Sequence, residues 1–97
     1  MSGEWARLEA SAQAQLERMR RLSDDLAAIR VRQTSADGAV TVTVDGCAKL
    51  LDLQLSEAIS RLSPTAFGRA VLDTAAAAAH RALDQRGTLI NEFNQQE

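Results

Sequence analysis

Residues 38–46 read Gly-Ala-Val-Thr-Val-Thr-Val-Asp-Gly, and this stretch decides the fold class. Valine alternates with threonine through it, so one face of an extended chain is apolar and the other is polar. β-Branched residues also favour strands over helices. The closing Asp45-Gly46 dipeptide is typical of a two-residue hairpin loop, in which both central residues take positive φ. The stretch therefore predicts a half-buried strand over residues 39–45 that turns directly into a neighbouring strand.

A strand is predicted on each side of this one. Before it, apolar and polar residues alternate over residues 29–34. After it, residues 48–55 contain the alternating leucines Leu51, Leu53 and Leu55, which give one apolar face. Three consecutive strands joined by short turns predict a three-stranded antiparallel meander.

A long amphipathic helix is predicted before the meander, over residues 4–29. Its apolar residues follow an alternating spacing of three and four in which Gln15 is the only polar interruption: Trp5, Leu8, Ala12, Met19, Leu22, Leu26 and Ile29. At 1.5 Å per residue this helix is roughly 40 Å long, whereas a globule of this size is about 30 Å across. The helix must therefore protrude. Its exposed apolar seam predicts an interface with a second copy or another protein, through Trp5, Leu8, Met19 and Leu22.

A second long helix is predicted after the meander, over residues 64–93. Ser63 is a suitable N-cap, and Pro64 fits the first helical position because it needs no hydrogen-bond donor there. Gly87 is a possible end or weak point of this helix. Its expected apolar face consists of Phe67, Val71, Ala75, Ala78, Ala82 and Leu83. The elements together predict an α+β fold in one domain, residues 1–97, that works as a dimer.

The composition narrows the class of protein. The chain has 97 residues and a net charge of −2, which argues against binding polyanions through bulk charge alone. Cys47 is the only cysteine, so no intrachain disulfide can form and an oxidising compartment is not indicated. No stretch is apolar enough for a secretory signal or a membrane span. We therefore expect a cytoplasmic protein that does not insert into membranes.

The residues that could support catalysis form no recognised motif. Cys47 and His80 could in principle make a nucleophile pair, but a half-buried thiol and a surface imidazole are the more common outcome. Asp24 and Asp25 are neighbours on a predicted helix and point to different sides of it. No phosphate-binding loop or metal-ligand spacing is present. We therefore predict no enzyme activity, no cofactor and no metal.

Basic residues cluster where the first helix meets the first strand. Against two acidic residues, five arginines leave a local excess of +3 (five minus two): Arg18, Arg20, Arg21, Arg30 and Arg32. Arg30 and Arg32 project from the non-core face of their strand, beside Thr41 and Thr43, where they could hold phosphates. The alternative is a solvated sheet face whose charges are balanced by acidic residues such as Asp52.

The order of elements, with GAVTVTVDG, the third strand LLDLQL and a helix led by SPTAF, resembles the YbaB/EbfC family of small bacterial nucleoid-associated proteins. The resemblance covers roughly residues 15–90. It implies a homodimer whose sheets associate while the helices project as arms, and DNA binding without a helix-turn-helix. It also implies no catalytic residue and no cofactor. Applied to this chain, it predicts phosphate contacts from Arg18, Arg21, Arg30 and Arg32.

A second interpretation stays open. Many relatives have a lysine-rich first helix, whereas Lys49 is the only lysine here. The preference for arginine and alanine suggests a high-GC genome, and some actinobacterial relatives are associated with specialised secretion. The two hypotheses are a nucleoid homodimer that binds double-stranded DNA with little sequence preference, and a dimeric adaptor or secretion accessory that binds a protein instead.

Overall fold

The computed structural model describes residues 2–95 of the chain. In order, its elements are α1 (Ser2–Ala27), β1 (Arg30–Thr34), β2 (Val40–Asp45), β3 (Leu50–Leu55), a short 3-10 helix (Glu57–Arg61) and α2 (Pro64–Gln95). The strands form one antiparallel sheet in the order β1-β2-β3. The predicted α+β fold, two helices flanking a three-stranded meander, is confirmed.

The core lies between the sheet and α2. The valines of β2 and Val31 of β1 are almost completely buried, and the threonines of β2 alternate with them on the half-exposed face. Ala78 and Ala82 of α2 are buried against these valines, because small side chains let the helix axis approach the sheet closely. Thr74, one turn earlier, is buried as well, whereas Leu83 is exposed and does not belong to the predicted apolar face.

The β2–β3 connection differs from the prediction. The loop has four residues, 46–49, and neither Asp45 nor Gly46 has positive φ; Ala48 does, at 65°. The Asp45 carboxylate accepts hydrogen bonds from the Cys47 and Lys49 amides, both at 2.9 Å, and these bonds fix the loop. Gly46 is required for another reason. A Cβ atom there would lie 2.9 Å from the Leu26 carbonyl oxygen, where the end of α1 meets the loop.

Register in β3 also departs from simple alternation. Val44 pairs with Leu50 and Thr43 pairs with Asp52, so Leu51 is an extra residue at a bulge. Leu53 pairs with Val42 on the apolar face as predicted. Every residue of β3 is nevertheless exposed, because α2 lies over β1 and β2.

The helices extend the molecule far beyond the sheet. The described chain measures 75 × 19 × 14 Å, with a radius of gyration of 20.6 Å against about 13 Å for a compact chain of this length. α2 begins at Pro64, where the Ser63 hydroxyl accepts a hydrogen bond from the Ala66 amide, and continues through Gly87 without a break. Arg18 of α1 shares a cleft with Phe93 of α2. The first dozen residues of α1 therefore project beyond the described part of α2, as the length argument predicted.

Candidate nucleic-acid interface

The sheet face that α2 does not cover is polar and includes two of the four predicted arginines. Arg30 and Arg32 are exposed on β1, and their cross-strand partners on β2 are Asp45 and Thr43. Facing residues of a strand pair lie on the same side of the sheet. The face therefore combines guanidinium groups with hydroxyls, as the alternation of residues in the sequence indicated.

Both sheet arginines keep free donors. The Nη1 atom of Arg30 donates to the Ile29 carbonyl oxygen at 2.7 Å and to the Ala27 carbonyl oxygen at 3.1 Å, which satisfies acceptors at the C-terminus of α1. The Nη2 atom of Arg32 donates to Gln54 Oε1 at 3.1 Å. A guanidinium has five N–H donors, so each arginine can also bind an anion.

Acidic side chains share this face and reduce its positive potential. Asp45 stands opposite Arg30, and Asp52 stands opposite Thr43 on β3. The pKa of Asp45 is held below its usual value, chiefly by the hydrogen bond from the Lys49 amide. The hydrogen bond from the Cys47 amide and the positive charges of Lys49 and Arg30 act in the same direction. Asp45 is therefore ionised at neutral pH. Its charge and that of Asp52 offset those of the two arginines.

The other two predicted arginines lie on a different surface. Arg18 and Arg21 line a cleft between α1 and the end of α2, of about 220 Å³, together with Asp25, Glu92 and Phe93. Arg18 donates to Gln15 Oε1 through Nε at 3.1 Å and also through Nη2. The structure thus groups the four arginines as two pairs, one on the arm and one on the sheet. It does not unite them in one patch.

None of the four arginines is committed to an ion pair within residues 2–95. The one contact of basic and acidic side chains within 4 Å there is between His80 Nε2 and Asp84 Oδ2, 3.6 Å apart on the surface of α2. Guanidinium groups without a carboxylate partner remain free to exchange water for phosphate oxygens. Each pair can therefore bind phosphate groups.

The predicted interface residues lie along α1. Trp5 and Leu8 are 69% and 66% exposed on the projecting part of the helix, and Met19 is 58% exposed. Leu22 is half-buried and lines the cleft with Leu89 of α2. Leu22 therefore joins the two helices of one protomer, whereas the other three offer apolar surface to a partner.

The structure reveals a second apolar surface that sequence reasoning missed. It lies on β3 and on the side of α2 nearest to β3, and we call it the edge surface: Leu50, Leu53, Leu55, Leu72 and Leu83, all 41–69% exposed. The side of α2 is identified by its contacts. Arg81 donates a hydrogen bond to Gln33 of β1, so its flank of α2 is the one beside β1. Arg86 is on the other flank, where its Nη1 atom lies 3.9 Å from Cys47 Sγ in the β2–β3 loop, so that flank is the one beside β3. The only available signals were the leucine-rich third strand and the spacing of eleven residues, three helical turns, between Leu72 and Leu83.

The residues considered for catalysis are not brought together. Cys47 is exposed and its polar neighbour is Arg86, while His80 pairs with Asp84. Within the described residues, no group of three or more potential metal ligands is found. In the same part of the chain, neither helix combines the length and apolar character that a membrane crossing requires.

Comparison with known proteins identifies the fold and the family. A model of the YbaB/EbfC DNA-binding family matches residues 2–96. Among solved structures, the chain is similar to the crystal structure of uncharacterized protein HP0035 from Helicobacter pylori, with a TM-score of 0.68 and 17% sequence identity over 95% of this chain and 96% of that one. At this identity the likeness shows a common fold only. No curated protein sequence matches the chain significantly.

Proposed function

This chain belongs to the YbaB/EbfC DNA-binding family, and we propose that it works as a nucleoid-associated homodimer in the bacterial cytoplasm. In this proposal the dimer binds double-stranded DNA weakly and with little sequence preference. Arg18, Arg21, Arg30 and Arg32 bind its phosphates. The family match over nearly the whole chain is the observation that carries the proposal, since the family is a DNA-binding one.

The side-chain geometry supports phosphate contacts over base contacts. Arg30 and Arg32 lie on a sheet face, and the structure gives them neutral partners that leave donors free. The described residues offer no short recognition helix beside these arginines that could enter a major groove, as α1 and α2 are 26 and 32 residues long. Contacts to phosphate oxygens are the same for every sequence. We therefore expect low sequence preference.

The charge balance supports weak binding. The chain carries a net charge of −2, and Asp45 and Asp52 stand on the sheet face with the arginines. Electrostatic attraction to DNA depends on the number of phosphates neutralised and on the surrounding field. Few contacts against an acidic background give modest affinity at physiological salt.

The homodimer is supported by the open edge of β3. The Ser56 amide donates to the Ala39 carbonyl oxygen at 2.9 Å, so the main-chain groups of Ser56 face β2. Because the direction alternates along an antiparallel strand, the main-chain N–H and C=O groups of Leu53 and Leu55 face away from β2, toward the open edge. A second β3 can pair antiparallel to this edge about a twofold axis at Leu53. That register places Leu51 opposite Leu55 and Asp52 opposite Gln54 of the second copy.

Such pairing also covers apolar surface. The leucines of the edge surface are about half exposed in one protomer. Complete burial of a leucine is worth roughly 1.5–3 kcal/mol, so each of these side chains can add on the order of 1 kcal/mol when a second copy covers it. A twofold interface uses the same surface on both copies, which doubles the gain.

DNA binding is tested by its dependence on salt. A gel-shift or anisotropy titration with duplex DNA should show log affinity falling linearly with log salt, by about 0.9 for each phosphate contact. Arg30→Ala with Arg32→Ala, and separately Arg18→Ala with Arg21→Ala, each remove two arginines from both protomers, so each should lower the slope by up to about 3.6 (four contacts at about 0.9 each). The matched control is Arg69→Ala, an exposed arginine on α2 that lines a groove with Gln33 and Thr34 and belongs to neither pair. A flat salt response, or no complex at low salt, would refute the proposal.

The projecting arm favours a second candidate function. Trp5 and Leu8 expose most of their side chains where α1 has left α2, and Met19 continues the same seam. Large exposed apolar side chains on a helix are suited to a groove or a second helix of another protein. The alternative is a dimeric adaptor or secretion accessory that binds a protein partner through this seam. Stoichiometric co-purification of a protein that is lost with Trp5→Ala and Leu8→Ala, together with absent DNA binding, would support it.

A further inference from the structure

The sheet has two edge strands, β1 and β3, and a side chain from α2 covers only one of them. We propose that Arg81 closes the β1 edge, so that strand pairing between copies stops at the dimer formed through β3. This inference rests on the homodimer proposed above. It concerns what limits assembly to two copies.

Main-chain hydrogen bonds identify the open groups of β1. The Ser35 amide donates to the Val40 carbonyl oxygen at 2.8 Å, so Ser35 faces β2. In an antiparallel pair the groups that face the partner alternate with groups that face away. Residues 30, 32 and 34 therefore turn their main-chain N–H and C=O groups toward the free side of β1.

Arg81 occupies the middle of that free side. Its Nη1 atom donates to the Arg32 carbonyl oxygen at 3.0 Å and to Gln33 Oε1 at 2.7 Å. Packing of the core sets the position of Arg81. Ala78 and Ala82 are buried against the sheet, and Arg81, which lies between them in sequence, is therefore on the flank of α2. The guanidinium thus satisfies the central carbonyl of the edge and places a charge beside it.

The first residue of β1 is restricted in a similar way. The Arg30 side chain donates to the carbonyl oxygens of Ile29 and Ala27, next to the start of the strand. A charged side chain at an edge disfavours the approach of another strand, because pairing would desolvate the charge. Pairing at β1 would also require Arg81 to release two hydrogen bonds.

β3 has no comparable cover in the described part of the chain. Leu51, Leu53 and Leu55 receive no side-chain hydrogen bond on their main-chain groups there, and all three side chains are apolar. The sheet is therefore asymmetric, with one edge available and one closed. If both edges were available, alternating β3–β3 and β1–β1 contacts would build an open chain of copies, since each added copy extends the sheet and leaves another open edge at its end.

The experiment compares the full-length protein with Arg81→Ala by sedimentation velocity and light scattering over a wide concentration range. The protein should remain at 21 kDa, twice 10.5 kDa. Arg81→Ala should exceed that mass, increasingly so with concentration. Arg86→Ala is the matched control, because Arg86 also lies on α2 but faces the Cys47 loop. It should stay dimeric.

A second variant makes the interpretation independent of general aggregation. Leu53→Lys closes the β3 edge, so Arg81→Ala with Leu53→Lys should pair only through β1 and stop at two copies. Arg81→Ala that stays a dimer, or a double variant that still forms large assemblies, would overturn the inference. The two proposals can fail separately: a monomeric wild-type protein refutes the β3 dimer, whereas a dimeric Arg81→Ala refutes only the role of Arg81.

Discussion

Two glycines in this chain have opposite roles, and alanine should reveal the difference. A Cβ atom at Gly46 would lie 2.9 Å from the Leu26 carbonyl oxygen and 3.1 Å from Ile29 Cδ1, so the end of α1 would have to shift. Overpacking of this kind costs about 1–3 kcal/mol. Gly87 is a helical residue with open space around its Cα, where alanine should add up to about 1 kcal/mol. In urea denaturation, Gly46→Ala should lower the midpoint and Gly87→Ala should raise it; equal effects would contradict this explanation.

Val42 tests the assignment of the two sheet faces. Its side chain is 1% exposed between β1, β3 and α2, and no cation lies in the core to pair with an acid there. An unpaired buried charge costs several kcal/mol, a large part of a total stability of about 5–15 kcal/mol. Val42→Asp should therefore lose cooperative thermal unfolding in circular dichroism. Thr41→Asp, one residue earlier on the opposite face, should stay folded; the reverse result would mean that the faces are exchanged.

Asp45 makes the stability of the folded protein depend on pH. Hydrogen bonds from the Lys49 and Cys47 amides lower its pKa, so the folded protein holds this proton less tightly than the unfolded chain. The resulting stability is present above the usual aspartate pKa of about 4 and is lost as the pH falls through the lower folded value. Unfolding free energy measured between pH 6 and pH 2 should fall less steeply in Asp45→Ala than in the wild type. Parallel curves would show that these bonds do not distinguish the two protonation states.

At the level of elements, the periodicity of the sequence was sufficient to predict which residues are buried wherever burial is decided within one element. β2 alternates valine and threonine, and its structure alternates buried and half-exposed residues in the same order. α2 starts at Pro64 as its capping residues predicted. The predicted hairpin between β2 and β3 forms, but the predicted two-residue loop was wrong because Asp45 and Gly46 have other roles: the carboxylate accepts hydrogen bonds from the loop amides and the glycine leaves room for the end of α1. That contact joins residues twenty apart, so no local pattern could reveal it.

In the candidate site, too, local patterns predicted some features, whereas others depend on contacts between distant parts of the chain. Alternation within β1 correctly put Arg30 and Arg32 on the polar face. Whether Arg18 and Arg21 join them depends on how α1 leaves the sheet, and the structure places those two beside the end of α2 instead. The contact of Arg81 with β1 spans 49 residues and has no sequence signature. Local patterns thus predict which face a side chain takes, and tertiary packing decides which faces meet.

β3 is the element on which the proposed dimer depends. Leu53 is 41% exposed and lies outside the buried core cluster, so Leu53→Lys leaves that cluster intact, but it would place two ammonium groups face to face at the twofold axis. Like charges directly opposite each other destabilise a strand pair. The variant should sediment as a folded monomer of 10.5 kDa. Leu8→Lys makes the same chemical change on the arm and should remain dimeric; a monomeric Leu8→Lys would place the interface on α1.

For the whole molecule, the important property is that the proposed pairing edge and the two arginine pairs occupy different parts of a long chain. The sheet contains the pairing edge and one arginine pair, while the arm holds the other pair within a molecule 75 Å long. A dimer through β3 forms a six-stranded sheet in the order β1-β2-β3-β3-β2-β1. At about 4.8 Å between strands, the two β1 strands lie roughly 24 Å apart. That separation is close to the width of a DNA duplex, so both copies can contact phosphates of one molecule.

Dimerisation should therefore determine DNA affinity. If both protomers contact one duplex, monomeric Leu53→Lys should show about half the wild-type slope of log affinity against log salt, because half as many phosphates are neutralised. Its affinity should fall more than twofold, since the second protomer no longer binds at high effective concentration. The added lysine acts in the opposite direction by attracting DNA, so a loss cannot come from charge. An unchanged slope in the monomer, measured by anisotropy at several salt concentrations, would mean that each protomer binds DNA alone.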